Sequence, residues 1–106
     1  MPAVQHIVLF RFKPEITPAR IAELFREVEQ LKSLIPGIRY FAGGPNSSPE
    51  GFNQGYTHGF LMTFENAAAR DAYLPHPEHE NVKAALLASI EAGLAFDIDV
   101  PPTLGA

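Results

Sequence analysis

The N-terminal segment has apolar positions on both of its alternating faces. Residues 3–12, AVQHIVLFRF, are rich in β-branched and aromatic side chains, which is typical of a strand. Val4 and Val8 fall on one face, and Ile7 and Leu9 fall on the other. A strand with one solvated face alternates more cleanly between apolar and polar residues. We therefore expect the second face of this strand to contact another surface.

A helix and a second strand are predicted next. Thr17 can cap the helix, and Pro18 suits its first position. Apolar residues then recur at helical spacing as far as the Pro-Gly pair at 36–37, which ends the helix. Residues 38–43 predict a short strand, and the Gly- and Pro-rich residues 44–55 predict a long loop.

The second half of the chain repeats this succession of strand and helix. Residues 56–64 predict a third strand, and Asn66 can cap a helix that runs to about residue 74. The Pro-His-Pro sequence at 75–77 interrupts this helix. A further helix is predicted from about residue 78 to residue 92.

A last strand is predicted over residues 94–100, after Gly93 ends the preceding helix. Its residues alternate strictly, so we expect one set to face the core and the other to face solvent. The inward set is Leu94, Phe96, Ile98 and Val100, and the outward, solvated set is Ala95, Asp97 and Asp99. Pro101 and Pro102 are predicted to end this strand.

The order β-α-β-β-α-β predicts a ferredoxin-like α+β fold. We expect a single domain over residues 1–106, with an ordered core of about residues 3–100. Its four-stranded antiparallel sheet would have the first and third strands at the centre and the helices on one face. The other face would carry Ile7, Leu9, Phe41 and Leu61. Because an apolar face of that size normally marks an interface, we predict a homodimer that forms a dimeric α+β barrel.

Charge and composition argue against some binding partners and favour one cellular compartment. The net charge is −4, and the eight Lys and Arg residues are scattered along the chain. Binding to nucleic acid or to an anionic membrane needs clustered positive charge, so we expect neither partner. The chain has no Cys, which excludes disulfides and thiolate metal ligands. Without a signal-peptide pattern or a stretch of about 20 apolar residues, we expect a cytoplasmic protein.

Two histidines lie in predicted neighbouring strands. His6 and His58 each share a face with aromatic residues, so both are expected to project into the space between sheet and helices. Together they would form a polar spot in an apolar pocket. The alternative is that each is a core histidine with one hydrogen-bond partner.

A second candidate is the pair Tyr73 and His79, which lie on either side of the Pro-His-Pro turn. A histidine can act as an acid or a base near neutral pH. A tyrosine hydroxyl can orient it or donate to a developing oxyanion. In the alternative interpretation, the His79 ring bonds a backbone carbonyl and Tyr73 packs on the sheet, so that both only brace the helix junction.

Two further segments carry residues that could bind a metal ion or an anion. His76, His79 and Glu80 are ligand types that zinc or iron accepts. Pro77 interrupts their spacing, and no metalloprotease-like pattern is present. We therefore predict no metal and no cofactor. The loop at residues 43–47 lacks the Lys-Ser/Thr ending of a phosphate-binding loop, so a plain connection is expected.

Several segments of the chain together resemble one known family. They are His6-Ile7-Val8-Leu9-Phe10 with Phe12-Lys13, Ile35-Pro36-Gly37-Ile38, Gly55-Tyr56-Thr57-His58-Gly59, Tyr73 with His76-Pro77-Glu78-His79, and Phe96-Asp97. This combination resembles the stress-responsive A/B barrel (Dabb) family over nearly the whole chain. The resemblance implies a ferredoxin-like fold and a dimer whose two sheets form a barrel. Most relatives have no known activity, but one plant member is a polyketide cyclase that needs no metal or cofactor.

The resemblance to that cyclase also implies roles for particular residues. By motif position, His79 and Tyr73 would perform the acid–base chemistry, and His6 and His58 would line the pocket. With them, Phe25, Val28 and Phe60 form the predicted ligand-binding set. The first hypothesis is thus a pocket for a small organic ligand, with cofactor-free lyase or cyclase chemistry. The second is a non-catalytic stress or structural dimer, and the third, by fold analogy alone, is a monooxygenase.

Overall fold

The chain adopts the predicted ferredoxin-like α+β fold. The computed structural model describes residues 1–100. They form β1 (Ala3–Phe12), α1 (Pro18–Leu34), β2 (Ile38–Pro45), β3 (His58–Phe64), α2 (Ala67–Tyr73), α3 (Pro77–Ser89) and β4 (Ile90–Val100). The antiparallel sheet has the strand order β2-β3-β1-β4, so β1 and β3 are central as predicted. Pro101 and Pro102, predicted to end the last strand, lie outside the described residues.

The helix α1 begins and packs as its sequence indicates. The hydroxyl of Thr17 accepts a hydrogen bond from the backbone N–H of Arg20 at 3.2 Å, and Pro18 occupies the first turn. Leu24, Val28 and Leu31 are buried in the core. Each such side chain that leaves water contributes about 1.5–3 kcal/mol to folding, so this face fixes the helix on the sheet.

The junction between α2 and α3 is built from successive caps. The side chain of Asn66 accepts a hydrogen bond from the N–H of Ala69 at 2.8 Å and starts α2. Nδ1 of His76 accepts one from the N–H of Glu78 at 3.1 Å and starts α3, with Pro77 in its first turn. The N–H of His76 also donates to the carbonyl of Tyr73 at 3.0 Å. The turn between the two helices is therefore short and closely specified.

Phe41 does not lie on the open face of the sheet, where it was predicted. The register between β2 and β3 shifts between Ile38 and Tyr40, so that Phe41 lies opposite the buried Met62. Its ring centroid is 5.7 Å from that of Phe60. A bulge of this kind places one extra residue in a strand and reverses the alternation beyond it. Phe41 consequently packs on the core side.

The prediction for the faces of β4 was also wrong. Leu94, Phe96 and Ile98 are 40%, 60% and 47% exposed. They lie opposite Leu9, Ile7 and Gln5 of β1, on the face that no helix covers. Asp97 lies opposite His6 instead, on the helix-covered side, where it has hydrogen-bond partners. In a strictly alternating strand, either set of side chains can face the helices. The register with β1 places Ala95, Asp97 and Asp99 on that side, opposite to the prediction.

The helix α3 ends earlier than predicted, at Ser89 rather than near residue 92. Ile90 already pairs with Phe12, and Gly93 lies within β4 opposite Phe10 instead of ending the helix. The carbonyl of Ser89 accepts a hydrogen bond from the N–H of Lys13 at 2.9 Å. The backbone N–H and C=O groups after Ser89 form hydrogen bonds with β1 instead of continuing the helix. The chain therefore passes directly from α3 into β4.

The core lies between the helices and one face of the sheet. Val4, Phe10, Met62 and Phe64 of the central strands are at most 1% exposed. The opposite face carries apolar side chains without a covering layer. They include Ile7, Leu9, Leu61, Leu94, Phe96 and Ile98, and we call this set the open face. No helix within residues 1–100 is long and apolar enough to cross a bilayer.

Candidate functional site

A cavity of about 400 Å³ lies between the helix-covered face of the sheet and α3. All three helices and the strands β1, β3 and β4 contribute to its wall. His6, Tyr73 and His79 supply the polar groups, with Val28, Phe60, Val82 and Leu86 among the apolar ones. Small-molecule sites typically combine such an apolar wall with a few convergent polar groups. Five of the seven predicted site residues therefore meet in one place.

His79 has one ring nitrogen engaged and one free. Nδ1 lies 2.9 Å from the carbonyl oxygen of Leu74. Because a carbonyl can only accept, Nδ1 carries the hydrogen, and in the neutral ring Nε2 carries the lone pair. Burial is the main cause that lowers the pKa of His79 below its ordinary value of 6.5. The ring is thus neutral at pH 7, and Nε2 can accept a proton.

Tyr73 lies directly against this imidazole. The two ring centroids are 4.1 Å apart, and Tyr73 is 1% exposed. Burial raises the pKa of the Tyr73 hydroxyl, which therefore stays protonated at neutral pH. Among residues 1–100 the hydroxyl has no hydrogen-bond partner, yet no fully buried side-chain oxygen or nitrogen lacks one. The hydroxyl oxygen is therefore not fully enclosed, and because Tyr73 lines the cavity, it can donate a hydrogen bond to a ligand there.

His6, in the wall of the cavity, is held by a hydrogen bond to Asp97, whose carboxylate also binds Arg70. Its Nδ1 lies 2.6 Å from Oδ1 of Asp97, whose Oδ2 lies 3.1 Å from Nη1 of Arg70. The carboxylate can only accept, so Nδ1 of His6 donates and Nε2 is left on the other side of the ring. The His6 ring is also 6.1 Å from that of Tyr73, between centroids. The arrangement fixes the orientation of His6 at the cavity wall.

His58 and Phe25 lie apart from this group. The ring of His58 packs against Phe12 and Phe25, with centroids 5.0 and 6.0 Å apart, and it borders a separate concavity of about 730 Å³. In the β1–β3 ladder His58 pairs with Phe10, four positions from the pair His6 and Met62. His6 and His58 thus share a face of the sheet, but the structure does not bring them into one pocket. Burial lowers the pKa of His58.

His76, the remaining histidine, is occupied by its role as the cap of α3. Within the described part of the chain, no three His, Cys, Asp or Glu side chains converge in a way that could hold a metal ion. The loop at residues 43–47 continues β2 as far as Pro45. Neither His76 nor the loop lines the cavity.

Two site residues were not identified by sequence reasoning. Asp97 was predicted to face solvent, and Arg70 was not singled out. The partner of Asp97 is 91 positions away in the chain, so local patterns carry no sign of the contact. The one available signal was the Phe96-Asp97 pair, which belongs to the segments that resemble the Dabb family.

Chemically, the cavity offers a neutral base beside a protonated hydroxyl. Nε2 of His79 can take a proton from a ligand, and the Tyr73 hydroxyl can donate to an oxygen on which negative charge develops. The apolar wall keeps these groups in a low-dielectric environment, where such interactions are stronger than in water. This pairing suits proton transfer next to a carbonyl group.

Comparison with known proteins identifies the family. The model of the Stress responsive A/B Barrel Domain matches residues 4–100. Stress-response A/B barrel domain-containing protein HS1 of Arabidopsis thaliana is 37% identical over 94 residues, which are 89% of this chain and 86% of that protein. Olivetolic acid cyclase of Cannabis sativa is 32% identical over 95 residues, covering 90% and 94%. A dimeric ferredoxin-like protein of unknown function from Jannaschia sp. CCS1 superposes with a TM-score of 0.83 at 33% identity, covering 92% and 99%. The chain therefore belongs to the stress-responsive A/B barrel domain family.

Proposed function

We propose that this protein binds a small organic carbonyl compound in the 400 Å³ cavity and performs cofactor-free acid–base chemistry on it, of the cyclase or lyase type. The observation that carries the proposal is the free Nε2 of His79, on a ring that lies 4.1 Å, between centroids, from the Tyr73 ring in the wall of the same cavity. The 32% identity with olivetolic acid cyclase supports it.

The chemistry would begin with proton transfer to His79. Nε2 accepts a proton from a carbon next to a carbonyl group, and the C–H electron pair forms an enolate. The Tyr73 hydroxyl donates to the enolate oxygen. The enolate carbon then attacks a second carbonyl of the same molecule, a C–C bond forms, and the imidazolium of His79 returns the proton to the new alkoxide. His6, which Asp97 orients, lines the cavity where the ligand lies.

The homodimer is also part of the proposal. The open face exposes Leu94, Phe96 and Ile98 together, and exposed apolar patches of this kind normally mark interfaces. The relative from Jannaschia sp. CCS1 is described as dimeric. Packing of two open faces would bury these side chains and would form the barrel.

A cytoplasmic location and the absence of nucleic-acid and membrane partners belong to the same proposal. They rest on the lack of Cys and on the scattered positive charge. Fractionation of the source cells, followed by immunodetection of the protein, tests the location directly.

The second candidate function is non-catalytic, and one contact favours it. The bond from Nδ1 of His79 to the carbonyl of Leu74 spans the turn between α2 and α3, as a structural brace would. A thermal-shift screen of wild type and His79→Ala against aromatic acids, β-diketones and other small carbonyl compounds separates the two functions, because a ligand that binds the folded state stabilises it. Stabilisation lost in the variant supports the pocket. No stabilisation by any compound, with a variant that is only less stable, supports the brace.

A further inference from the structure

The cavity wall contains one residue that the proposed chemistry leaves without a role. His79, Val82, Lys83, Leu86 and Leu87 line the cavity from one side of α3. Lys83 lies four positions after His79, one turn along the same face of the helix, or about 6 Å along its axis. Because Lys83 lines the cavity, it is part of the surface that a ligand would contact.

Lys83 is also the one permanently charged residue that lines this cavity among residues 1–100. Its side chain is 51% exposed, and Nζ is 3.9 Å from Oε1 of Glu80, which is too long for a hydrogen bond. Glu80 is itself 53% exposed, so water competes for both charges. A lysine in such a place can lay its stem along an apolar wall while the ammonium stays at the rim.

We propose that the ligand carries a carboxylate, which Lys83 binds at the rim while the apolar part of the ligand fills the cavity. This inference rests on the proposed function, since it concerns the same cavity, and it adds the chemical class of the ligand. The carboxylate would lie one helical turn from the base, so Lys83 would also set which end of the ligand reaches His79 and Tyr73.

The presence of a single Lys and no Arg in the lining of this cavity, among residues 1–100, favours a carboxylate over a phosphate as the ligand's charged group. Phosphate sites use several donors, such as arginine forks or successive backbone N–H groups. Arg70, the nearby arginine, already binds Asp71 and Asp97. A single ammonium matches the single charge of a carboxylate.

The test uses matched pairs of ligands on the full chain. Calorimetric titrations compare alkyl and aryl carboxylic acids of about six to twelve carbons, a size suited to the cavity, with the primary amide of each acid. We expect wild type to prefer the acids by about two- to five-fold, as one partly exposed charge pair allows. Lys83→Met should remove this preference, and Lys83→Arg should keep it. Lys32→Met, at an exposed lysine of α1 outside the cavity, should change nothing.

The outcomes separate this inference from the proposed function. Equal binding of acids and amides to wild type, or an unchanged preference in Lys83→Met, overturns the role of Lys83 and leaves the pocket intact. If the amides bind and the acids do not, the inference is wrong in the same way. If no compound of either kind binds, the proposed ligand pocket fails, and the inference fails with it.

Discussion

His6 on β1 and Asp97 on β4 lie directly opposite each other in the sheet, and Nδ1 of His6 is 2.6 Å from Oδ1 of Asp97. Asp97 also binds Arg70, which belongs to α2. The Asp97 carboxylate thus connects β1, which carries His6, with α2, which ends at Tyr73. Asp97 orients His6 by a hydrogen bond and links α2 to the sheet by its ion pair with Arg70.

Asp97→Asn tests this connection. The amide oxygen can still accept from His6, but the charge that attracts Arg70 is lost, so we expect the free energy of unfolding to fall by about 1–3 kcal/mol. Urea denaturation measures the change. Asp99→Asn is the control, because Asp99 is exposed on the same strand and should change stability by less than about 0.5 kcal/mol. Equal effects of the two substitutions would show that the ion pair contributes nothing specific.

Tyr73→Phe separates the hydroxyl of Tyr73 from its ring. The hydroxyl has no partner among residues 1–100, so its removal should change the free energy of unfolding by less than about 0.5 kcal/mol. Ligand-induced stabilisation and any turnover should fall strongly. Tyr73→Ala, which removes the 1%-exposed ring as well, should cost about 3–5 kcal/mol. A large loss of stability in Tyr73→Phe would mean that the hydroxyl serves the fold instead of a ligand.

Stability should depend on pH through His79 and His58. Burial lowers the pKa of both rings below 6.5 in the folded state. The unfolded chain therefore binds more protons below pH 6.5, and the free energy of unfolding falls as the pH decreases from 6.5 towards the folded pKa values. About one pH unit above 6.5 the histidines are neutral in both states, so this contribution is complete and constant there.

The measurement is urea denaturation at several values between about pH 5.5 and 7.5, where histidine titrates. His79→Gln and His58→Gln should each flatten the profile, and the double variant should flatten it most. For His79 the nearby charges of Glu80, Lys83 and His6 also act, the first raising its pKa and the other two lowering it. Parallel profiles for wild type and all three variants would contradict the assignment.

Phe96→Asp tests the open face. Phe96 is 60% exposed and opposite Ile7, so a carboxylate there would have to be buried without a partner in a dimer. We expect a dimer for wild type and a monomer for the variant in sedimentation velocity. Leu34→Asp, at a 51%-exposed residue at the end of α1, should remain dimeric. A wild-type monomer at micromolar concentration would refute the interface.

Gly37→Ala tests how closely the turn after α1 approaches α2. A Cβ on Gly37 would lie 2.6 Å from that of Ala69, and the φ of Gly37 is +93°. Gly51 has a similar φ of +78° but open space around it. Gly51→Ala should therefore cost about 1 kcal/mol for the backbone alone, and Gly37→Ala should cost about 1–3 kcal/mol more because two packed groups must move apart. Equal costs would show that α2 adapts freely.

Local chemistry in the sequence predicted those parts of the fold that depend on neighbouring residues. Thr17 and Asn66 mark helix starts through interactions within three positions, and each caps the expected helix. The Pro-His-Pro sequence separates α2 from α3 as predicted, although Pro77 already belongs to the first turn of α3. The contact between Tyr73 and His79 was also predictable from the local sequence, because a single short turn separates the two residues.

The errors concern pairings between distant segments. The bulge between Ile38 and Tyr40 depends on β3 and leaves no local signature, so Phe41 was placed on the wrong face. The face of β4 depends on β1, about 90 positions away, and its alternation fits either orientation. His6 and His58 share a face as predicted, but their distance depends on the register of β1 with β3.

The alternation of β4 has a consequence for the accuracy of folding. A register slip of one residue would exchange the two sides of the strand. Phe96 or Ile98 would then lie beside His6, whose imidazole would lose its partner, and Asp97 would enter the apolar open face. The slip would leave His6 unpaired, and in the proposed homodimer it would also bury the Asp97 charge, and each of these is costly. The sequence of β4 thus disfavours a register error, because a misaligned β4 would disrupt both the cavity wall and the interface of the proposed homodimer.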